Sequence, residues 1–384
     1  MPELEEVKNV VFKLNGDSSS GPDGLTGRFY QSCWDIVGID ILALVQDFLQ
    51  GNSLPKSITH TNLILLPKKD NIQSFSDLRP ISLSNFINKV ISRIVHDRLE
   101  SLLPRLISNN QSGFVKGRSI IENVLLTQEI VTNIRKKGKP DNVVIKLDMA
   151  KAYDRVSWFF LMKVLRKMGF SNDLVDIIWR LISNNWYSVL INGQSHGLFH
   201  STRGVKQGDP LSPALFILSA EVLSRSLNAL FDDVQYVGYG LPKWSAQINH
   251  LAYADDTIIF ASTDNYSLNR IVETLQEYEG ESGQQINKEK SAFYLHQSTA
   301  TNMRVVVEEC TGMSRGHFPL KYLGCPITHA RKRKEHYADL IRRVKDKLQA
   351  WKGNMLSFGG KEVLLSSVLQ SIPIHVLSAI APPN

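Results

Sequence analysis

Two adjacent aspartates in the middle of an apolar stretch constrain the fold of this chain more than any other feature. Residues 250–254 are mostly apolar, Asp255 and Asp256 follow, and residues 257–260 are apolar again. This order predicts a β-hairpin with a carboxylate pair at its turn. An isolated Asp pair is in most cases only a polar turn, so the rest of the sequence must decide whether this pair carries chemistry.

A third carboxylate follows a predicted strand. Residues 143–147 are short, apolar and β-branched, which is typical of a buried strand, and Asp148 comes directly after them. If this strand lies beside the hairpin, three carboxylates converge at one edge of a sheet. Crowded carboxylates repel each other unless a cation neutralises them, and Mg²⁺ prefers oxygen ligands. Two such ions about 4 Å apart can activate an attacking hydroxyl and stabilise a leaving pyrophosphate.

Helix and strand patterns alternate along the rest of the chain. Apolar residues at a spacing of four predict a helix through residues 86–95. Ser119 with Glu122 predicts a capping box, and Ser212 with Pro213 predicts the start of a helix that reaches Phe231. Interleaved helices and hairpin strands predict an α+β fold with an antiparallel sheet. Other predicted helices cover 33–49, 158–168, 172–186 and 267–281; other predicted strands cover 61–66 and a last pair at 292–295 and 321–327.

Composition is that of a folded protein with a basic surface. The 384 residues are 43% hydrophobic and 21% charged, which excludes global disorder and predicts two or three domains. The formal net charge is +7, so a polyanion such as nucleic acid is the first partner to consider. Nine basic and three acidic residues lie between Arg331 and Lys352, so most of this excess is in one tail.

The cysteines and the apolar runs exclude several classes of protein. Three cysteines without a C-x-x-C pair exclude a disulfide framework and a cysteine-rich zinc site, and they predict a reducing compartment. The acidic N-terminus does not have the pattern of a signal peptide. No uninterrupted apolar run approaches the roughly 18 residues of a membrane span, so we expect no membrane partner.

Eight motifs in chain order resemble those of reverse transcriptases, and their amino-acid sequences are similar to those of LINE-type, non-LTR retrotransposon polymerases of plants. The signature turn of that family resembles residues 253–256 (YADD). An insertion typical of non-LTR elements resembles residues 111–118. The other matches are residues 65–68 and 78–83 in the fingers, 146–154 and 204–213 in the palm, 282–291 after the catalytic turn, and 321–324 at the primer grip.

The resemblance implies a role for each matched position. Asp148, Asp255 and Asp256 would hold two Mg²⁺ ions, with Mn²⁺ as an alternative, and the carbonyl of Met149 would assist. Tyr153 would exclude a ribose 2′-hydroxyl, although LINE-type enzymes more often have Phe there. The remaining implied nucleotide contacts are Lys68 (or Lys69) and Arg79 on the triphosphate, Gln207 and Gly208 on the nucleotide and its template base, and Lys290 as a general acid for the pyrophosphate.

The two ends of the chain carry weaker patterns. Residues 17–27 include a Gly-Pro-Asp-Gly element that composition alone assigns to a turn or linker. The resemblance places this element against the template. The tail after Ala330 resembles a thumb, and its basic residues Arg331, Arg333, Arg342 and Lys345 would contact nucleic-acid phosphates. An apolar stripe of Leu340, Val344, Leu348 and Trp351 predicts that the thumb helix packs on one side.

The sequence therefore predicts a right-hand polymerase fold: an N-terminal extension over 1–60, fingers and palm over 61–328, and a thumb over 329–384. The expected function is an RNA-directed DNA polymerase that extends a DNA primer with dNTPs on an RNA template. A group II intron maturase, a two-metal nuclease and a catalytically inactive nucleic-acid-binding protein of retroelement origin are the alternatives. We expect a nuclear or cytoplasmic location, and a chain that is a fragment of a longer protein with an endonuclease and a Cys/His element.

Overall fold

The computed structural model describes residues 1–135, 140–242, 244–331, 333–350, 356–380 and 382, and it has an α+β architecture with mixed sheets. The α+β prediction is confirmed. Within the described residues, eleven strands form three sheets. They are β1 His60–Pro67, β2 Leu78–Ser84, β3 Asn142–Leu147, β4 Trp186–Ile191, β5 Gln194–His200, β6 His250–Tyr253, β7 Asp256–Ser262, β8 Ala292–Leu295, β9 Ser314–Arg315, β10 Leu320–Tyr322 and β11 Cys325–Ile327.

Helices surround these sheets, and three of them are single turns. Short 3₁₀ segments cover Phe75–Asp77, Leu230–Asp232 and Lys334–Tyr337, and a π-helix covers Leu364–Leu369. The α-helices are α1 Leu4–Lys13, α2 Gly27–Ser32, α3 Trp34–Leu49, α4 Lys56–Thr59, α5 Phe86–Glu100, α6 Leu103–Leu106, α7 Ile120–Thr132, α8 Ala152–Arg155, α9 Trp158–Lys167, α10 Asn172–Ser183, α11 Ser212–Ala229, α12 Asn265–Ser282, α13 Thr301–Thr311, α14 Ala338–Ala350, α15 Phe358–Val363 and α16 Ser371–Ala379.

The five-stranded sheet has the order β6-β7-β3-β8-β9, with β3 in the middle. Alternate residues of β3 point to opposite faces. Val143, Ile145 and Leu147 pack in a core with α9, α11 and α12. Val144 faces a second core, which includes α7 and the β10–β11 hairpin. Because both faces are covered, the end of β3 is held rigidly in place.

A four-stranded sheet, in the order β2-β1-β4-β5, stands beside the first. Strands β4 and β5 form a hairpin whose turn is Asn192-Gly193, both with positive φ, as a type I′ turn requires. The prediction of a helix over 172–186 was wrong at its end, because α10 stops at Ser183 and Trp186 opens β4. Trp186 extends the apolar pattern of α10 in sequence but pairs with β1 and β5 in the fold.

One predicted strand pairing and the predicted starts of two helices can also be compared with the structure. The segments 292–295 and 321–327 do not pair with each other, because β8 pairs with β3 and β9 while β10 and β11 form their own hairpin. Ser119 is the N-cap of α7, as predicted, but its hydroxyl accepts from the Ile121 N–H and not from Glu122, the other residue of the predicted capping box. Ser212 is the first helical residue of α11, not its N-cap, which is Leu211.

The first 60 residues pack on the rest of the chain through a shared core. Buried side chains of α1 and α3, such as Val11 and Val45, belong to the same apolar cluster as residues of α5, α9 and α11. Two hydrogen bonds from the Arg98 guanidinium to the Glu6 carboxylate also tie α1 to α5. The Asp23 N–H donates to the Asn85 side chain, so the Gly-Pro-Asp-Gly turn lies against the start of α5.

The C-terminal helices are more exposed than the sequence pattern predicted. Leu340 and Val344 of α14 are half-buried, whereas Leu348 is exposed. The fourth residue of that stripe, Trp351, lies outside the described residues.

Two helical stretches, Ser212–Asp232 and Phe358–Ala379, are long and apolar enough by composition to cross a membrane. Serines and isolated charges interrupt both stretches, so neither is an uninterrupted apolar run, and the expectation of no membrane partner stays a prediction. The first stretch is 61% buried inside the protein, as a core helix of a soluble protein would be, and the second is 11% buried. One or two such helices are weak evidence for a membrane.

Two glycines with similar positive φ values allow the cost of backbone strain to be measured apart from the cost of a steric clash. Gly204 has φ +84, and a Cβ there would lie 2.7 Å from the Asp154 carbonyl oxygen. Gly193 has φ +80 and open space around it. We expect Gly193→Ala to lower the free energy of unfolding by about 1 kcal/mol and Gly204→Ala to lower it by about 3 kcal/mol, measured by urea denaturation. If both variants lost the same free energy of unfolding, the backbone around residue 204 would have to move aside without an energetic penalty.

Candidate active site

The register of two strands brings the three predicted carboxylates to one end of the five-stranded sheet. Leu147 is paired with Thr257, the last pair between β3 and β7. Asp148 and Asp256 are one position further on each strand, so they lie side by side where the ladder ends. Asp255 occupies the turn between β6 and β7. Asp256 opens β7, so of the two aspartates only Asp255 lies in the turn itself, a shift of one residue from the prediction.

The backbone around Asp148 is held from the β8 side. The Asp148 carbonyl accepts a hydrogen bond from the Asn287 N–H at 2.8 Å, and the Ala150 N–H donates to the Gln285 carbonyl at 2.8 Å. The Ser291 hydroxyl accepts from the Asp148 N–H at 3.0 Å. These three bonds use backbone groups of Asp148 and Ala150, and the Met149 carbonyl between them is not one of the acceptors.

Desolvation and mutual repulsion raise the pKa of both hairpin carboxylates. Burial raises the pKa of Asp255 most, the charge of Asp148 adds to it, and Arg79 opposes it. Burial likewise raises the pKa of Asp256, the Asp255 charge adds to it, and Lys146 opposes it. The three carboxylates therefore interact, and protonation or a cation relieves their repulsion.

The oxygen atoms at this end of the sheet are suitable ligands for a divalent cation, although the three carboxylates do not yet surround a single point. Three carboxylates and one carbonyl are hard oxygen ligands of the kind Mg²⁺ and Mn²⁺ take. Within the part of the chain that the structure describes, no group of three His, Cys, Asp or Glu side chains is arranged to hold a metal ion. Asp148, Asp255 and Asp256 are neighbours along the backbone, but their carboxylates do not form such a group in the described part of the chain.

One basic residue of the four-stranded sheet acts on these carboxylates, and two lysines follow strand β1 of the same sheet. Arg79 on β2 is exposed and acts on Asp255 through its charge. The Lys68 ammonium donates to the Ser76 carbonyl at 3.0 Å. Lys69 forms an ion pair with Asp77 at 2.9 Å, whereas among the described residues no carboxylate forms an ion pair with the Lys68 ammonium. Of the two lysines predicted to contact a triphosphate, Lys68 is therefore less occupied by a carboxylate than Lys69.

Tyr153 stands next to the carboxylates with its ring fixed. The ring stacks on Phe216, with 5.0 Å between centroids and 9° between planes. Burial, and then the charge of Asp255, raise the pKa of the Tyr153 hydroxyl, so this side chain faces the hairpin turn. A flat ring held in this way presents a rigid surface to whatever enters the site.

Gln207 and Gly208 lie against β2, and Gln207 also reaches α8. The Gln207 carbonyl accepts a hydrogen bond from the Ser82 N–H of β2 at 2.9 Å, and its side chain lies 3.5 Å from the Asp154 carboxylate. Gly208 has φ +105, and a Cβ there would lie 3.3 Å from the Ser82 carbonyl oxygen. The loop thus approaches β2 at a position that favours glycine.

The remaining predicted residues lie farther from the carboxylates or have other partners. The Lys290 N–H donates to Asn287, and the residue is exposed. Arg331, Arg333 and Lys345 are exposed in the tail, and Arg342 pairs with Asp339 at 3.2 Å. The roles predicted for these residues remain predictions.

Sequence reasoning missed several residues that hold the site in place. Lys146 lies on the same face of β3 as Asp148, and its ammonium donates to the Lys321 carbonyl at 2.9 Å. Gln111 hydrogen-bonds to Ala254 in the turn, and Asn123 donates to the Ala252 carbonyl. Lys146 and Gln111 both stood within matched motifs, but the residue type of Gln111 did not indicate a partner 143 residues away in the sequence.

Comparison with known proteins decides which family this site belongs to. The family described as reverse transcriptase (RNA-dependent DNA polymerase) matches residues 66–327, more than half of the chain, and this range includes all three carboxylates. The chain belongs to the reverse transcriptase family. The predicted polymerase fold is thereby confirmed, and membership implies the use of a divalent metal ion.

Curated relatives of this reverse transcriptase domain come from transposable elements. An uncharacterized 149 kDa protein of transposon TX1 from Xenopus laevis is 28% identical over 99% of this chain, and the chain spans 28% of its length. A Pol polyprotein from the type-2 retrotransposable element R2DM of Drosophila melanogaster is 30% identical over 65% of this chain, which spans 22% of it. These similarities support a non-LTR, LINE-like type. The chain thus spans less than a third of either relative.

Two further comparisons are partial. An uncharacterized mitochondrial protein of Arabidopsis thaliana is 47% identical over 68 residues, which are 18% of this chain and 56% of that protein. A telomerase from Candida tropicalis, solved with a TWJ fragment of telomeric RNA, is 15% identical, with a TM-score of 0.47, and the match covers 86% of this chain and 55% of the telomerase.

The raised pKa of Asp255 predicts that the site destabilises the metal-free fold. The folded protein holds this proton more tightly than the unfolded chain, so stability falls as pH rises from about 4 through the folded pKa. We therefore expect Asp255→Asn to raise the Tm of the metal-free protein at pH 7 by on the order of 2 °C. Differential scanning calorimetry should show this gain shrink below about pH 4.

Asp77→Asn is the control of opposite sign. The Gln73 N–H and the Lys69 ammonium lower the pKa of Asp77 to about 2, so its charge stabilises the fold above about pH 4 and that contribution is lost toward pH 2. This variant should lower the Tm at pH 7. Mg²⁺ should raise the Tm of the wild type more than that of Asp255→Asn. A lower Tm for metal-free Asp255→Asn at pH 7 would contradict the account.

Proposed function

We propose that this domain is an RNA-directed DNA polymerase that extends a primer 3′-hydroxyl with dNTPs on an RNA template. The observation that carries the proposal is the strand register that sets Asp148 beside Asp256, with Asp255 in the adjoining turn. Family membership supplies the reaction class, and these carboxylates supply a site where cations and phosphates meet. The finer assignment to a plant LINE-type element rests on motif wording and on the partial Arabidopsis similarity.

The proposed reaction is in-line phosphoryl transfer. The primer hydroxyl attacks the α-phosphate of the dNTP, a new P–O bond forms, and pyrophosphate leaves with the electrons of the broken bond. Asp148, Asp255 and Asp256 would hold two Mg²⁺ or Mn²⁺ ions, with the Met149 carbonyl as a further ligand. When bound, the ions activate the hydroxyl and offset the charge on the leaving group.

The chain's own cations would complete the nucleotide site. Arg79 offers a forked donor and Lys68 a point charge, which suits them to the oxygens of a triphosphate. Lys290, exposed beside the segment that holds Asp148, would protonate the leaving pyrophosphate. Gln207 and Gly208 would line the nucleotide and its template base. Their loop is joined to β2, so this part of the site is attached to the same strand that carries Arg79.

The tail would hold the template–primer duplex. Its exposed basic residues Arg331, Arg333 and Lys345, with Arg342, suit sequence-independent phosphate contacts that weaken with salt. In this assignment residues 1–60 form an N-terminal extension, 61–328 the fingers and palm, and 329–384 the thumb. A nuclear or cytoplasmic location follows from these nucleic-acid substrates.

Primer extension tests the proposal directly. We expect the purified domain to extend a DNA primer on an RNA template with Mg²⁺ or Mn²⁺, measured by gel electrophoresis of labelled primer. Asp148→Asn or Asp255→Asn should lower the rate by about 10³-fold, because each removes one charged metal ligand. Asp35→Asn, at an exposed position of α3, is the matched control and should keep the wild-type rate.

A folded wild-type domain that extends no primer with either metal would overturn the claim of activity. Nucleic-acid binding that weakens with salt, in the same preparation, would then support the alternative of a catalytically inactive binding protein.

Sugar discrimination tests the role of Tyr153. Its ring is fixed against Phe216 beside the carboxylates, so it should block a 2′-hydroxyl by steric contact. We expect Tyr153→Ala to raise the ratio of ribonucleotide to deoxyribonucleotide incorporation by at least about tenfold, a free-energy difference of about 1.4 kcal/mol. Single-nucleotide addition kinetics would measure it. Tyr153→Phe, which keeps the ring, should leave the ratio unchanged, and a similar change in both variants would exclude a steric role.

A further inference from the structure

The turn that carries Asp255 has an unfavourable backbone conformation. Ala254 has φ +56, and Asp255, the second turn residue, does not have a positive φ. A positive φ at the first turn residue alone is the pattern of a type II′ turn, where glycine is preferred because it has no Cβ. Alanine at this position is strained, so the turn needs support from outside the hairpin.

The Gln111 side chain supplies that support. Its Oε1 accepts hydrogen bonds from the Ala254 N–H at 2.8 Å and from the Gly113 N–H at 2.7 Å. Its Nε2 donates to the Ala254 carbonyl at 3.1 Å. One side-chain amide thus satisfies both backbone groups of the strained residue, as a neighbouring strand would. Gln111 is 2% exposed, so water does not compete for these bonds.

The segment that carries Gln111 is itself fixed to the hairpin. The Ser112 N–H donates to the Ala252 carbonyl at 2.9 Å, and the Ala252 N–H donates to the Asn110 carbonyl at 2.8 Å. These bonds run along β6, the edge strand of its sheet. At Gly113 a Cβ would lie 2.5 Å from the Ala254 nitrogen, so only glycine allows this approach.

We propose that Gln111 is a positioning residue: it holds Ala254 in its left-handed conformation and thereby sets where Asp255 and Asp256 present their carboxylates. The inference rests on the proposed polymerase function. Without the amide, the Ala254 N–H and carbonyl lose their partners and the turn relaxes toward unstrained conformers. A displacement of about 1 Å at a reacting centre lowers rates by about 10²-fold.

A second glutamine provides a matched control. The Gln128 Nε2 donates to the Thr328 carbonyl at 2.7 Å, and its Oε1 accepts from the Thr328 N–H at 3.1 Å. It therefore makes the same two-bond contact with a single backbone residue, but at a position outside the hairpin. Gln128→Ala should lower the Tm by about as much as Gln111→Ala while leaving carboxylate placement intact.

The experiment compares Gln111→Ala, Gln111→Met and Gln128→Ala in single-nucleotide addition. Gln111→Met fills the volume without the hydrogen bonds, and it serves if the alanine variant does not fold. We expect both Gln111 variants to lose about 10²-fold in kcat and to need several-fold more Mg²⁺ for half-maximal rate. Their KM for dNTP and their Kd for the primer–template should stay within about twofold, as should the kcat of Gln128→Ala.

Two outcomes would overturn the inference: a Gln111 variant with wild-type kcat, or a loss of kcat that Gln128→Ala shares. Failure of the proposed function is a separate result, because there the wild type itself would not extend a primer. In that case the role of Gln111 can still be tested by comparing how much MnCl₂ raises the Tm of each variant. A positioning role predicts a smaller rise for the Gln111 variants than for wild type and Gln128→Ala, and equal rises would exclude it.

Discussion

Repulsion among three carboxylates at one end of a sheet is the constraint on which the rest of the structure depends. The β3–β7 register puts Asp148 beside Asp256, and the turn adds Asp255. Burial, and then the charge of a neighbouring carboxylate, raise the pKa of Asp255 and of Asp256, so this arrangement opposes folding at neutral pH. Apolar cores on both faces of β3 supply the stability that keeps the strands in this register, and that is why the central strand is almost wholly buried.

The surrounding segments hold the carboxylates through backbone atoms. Residues 285–291 bind the N–H and carbonyl groups around Asp148, and Gln111 binds those of Ala254. Hydrogen bonds to the carboxylate oxygens would instead lower their pKa and occupy the groups that a cation needs. The Asp255 N–H does bond to its own carboxylate, but the contacts from Gln111 and residues 285–291 fix the main chain and do not use the acidic oxygens. The main chain can therefore be held in place without those contacts competing with a cation.

The sequence predicted those parts of the fold that depend on local pattern. Strand β8 was predicted at its observed bounds and β3 within one residue, because buried β-branched runs between breakers leave little choice. The β4–β5 hairpin was missed even though Asn192-Gly193 is a type I′ signal, since the apolar spacing of α10 continues to Trp186. The support of Ala254 by Gln111 could not be predicted, because one polar side chain gives no periodicity and its partner is remote in sequence.

Strand β2 contacts both the loop of Gln207 and, through the charge of Arg79, the carboxylate of Asp255. These two contacts suggest how a bound nucleotide and a bound metal ion would influence each other. Ser82 of β2 donates to the Gln207 carbonyl, and Arg79 on the same strand acts on Asp255. A triphosphate drawn to Arg79 would remove part of the cationic field that stabilises the charged Asp255, which increases the need for a metal ion at that carboxylate. Conversely, a metal ion on the carboxylates frees Arg79 from them and leaves it for the phosphates. Under the proposed function, nucleotide and metal would therefore bind cooperatively, because each would release the partner that the other requires.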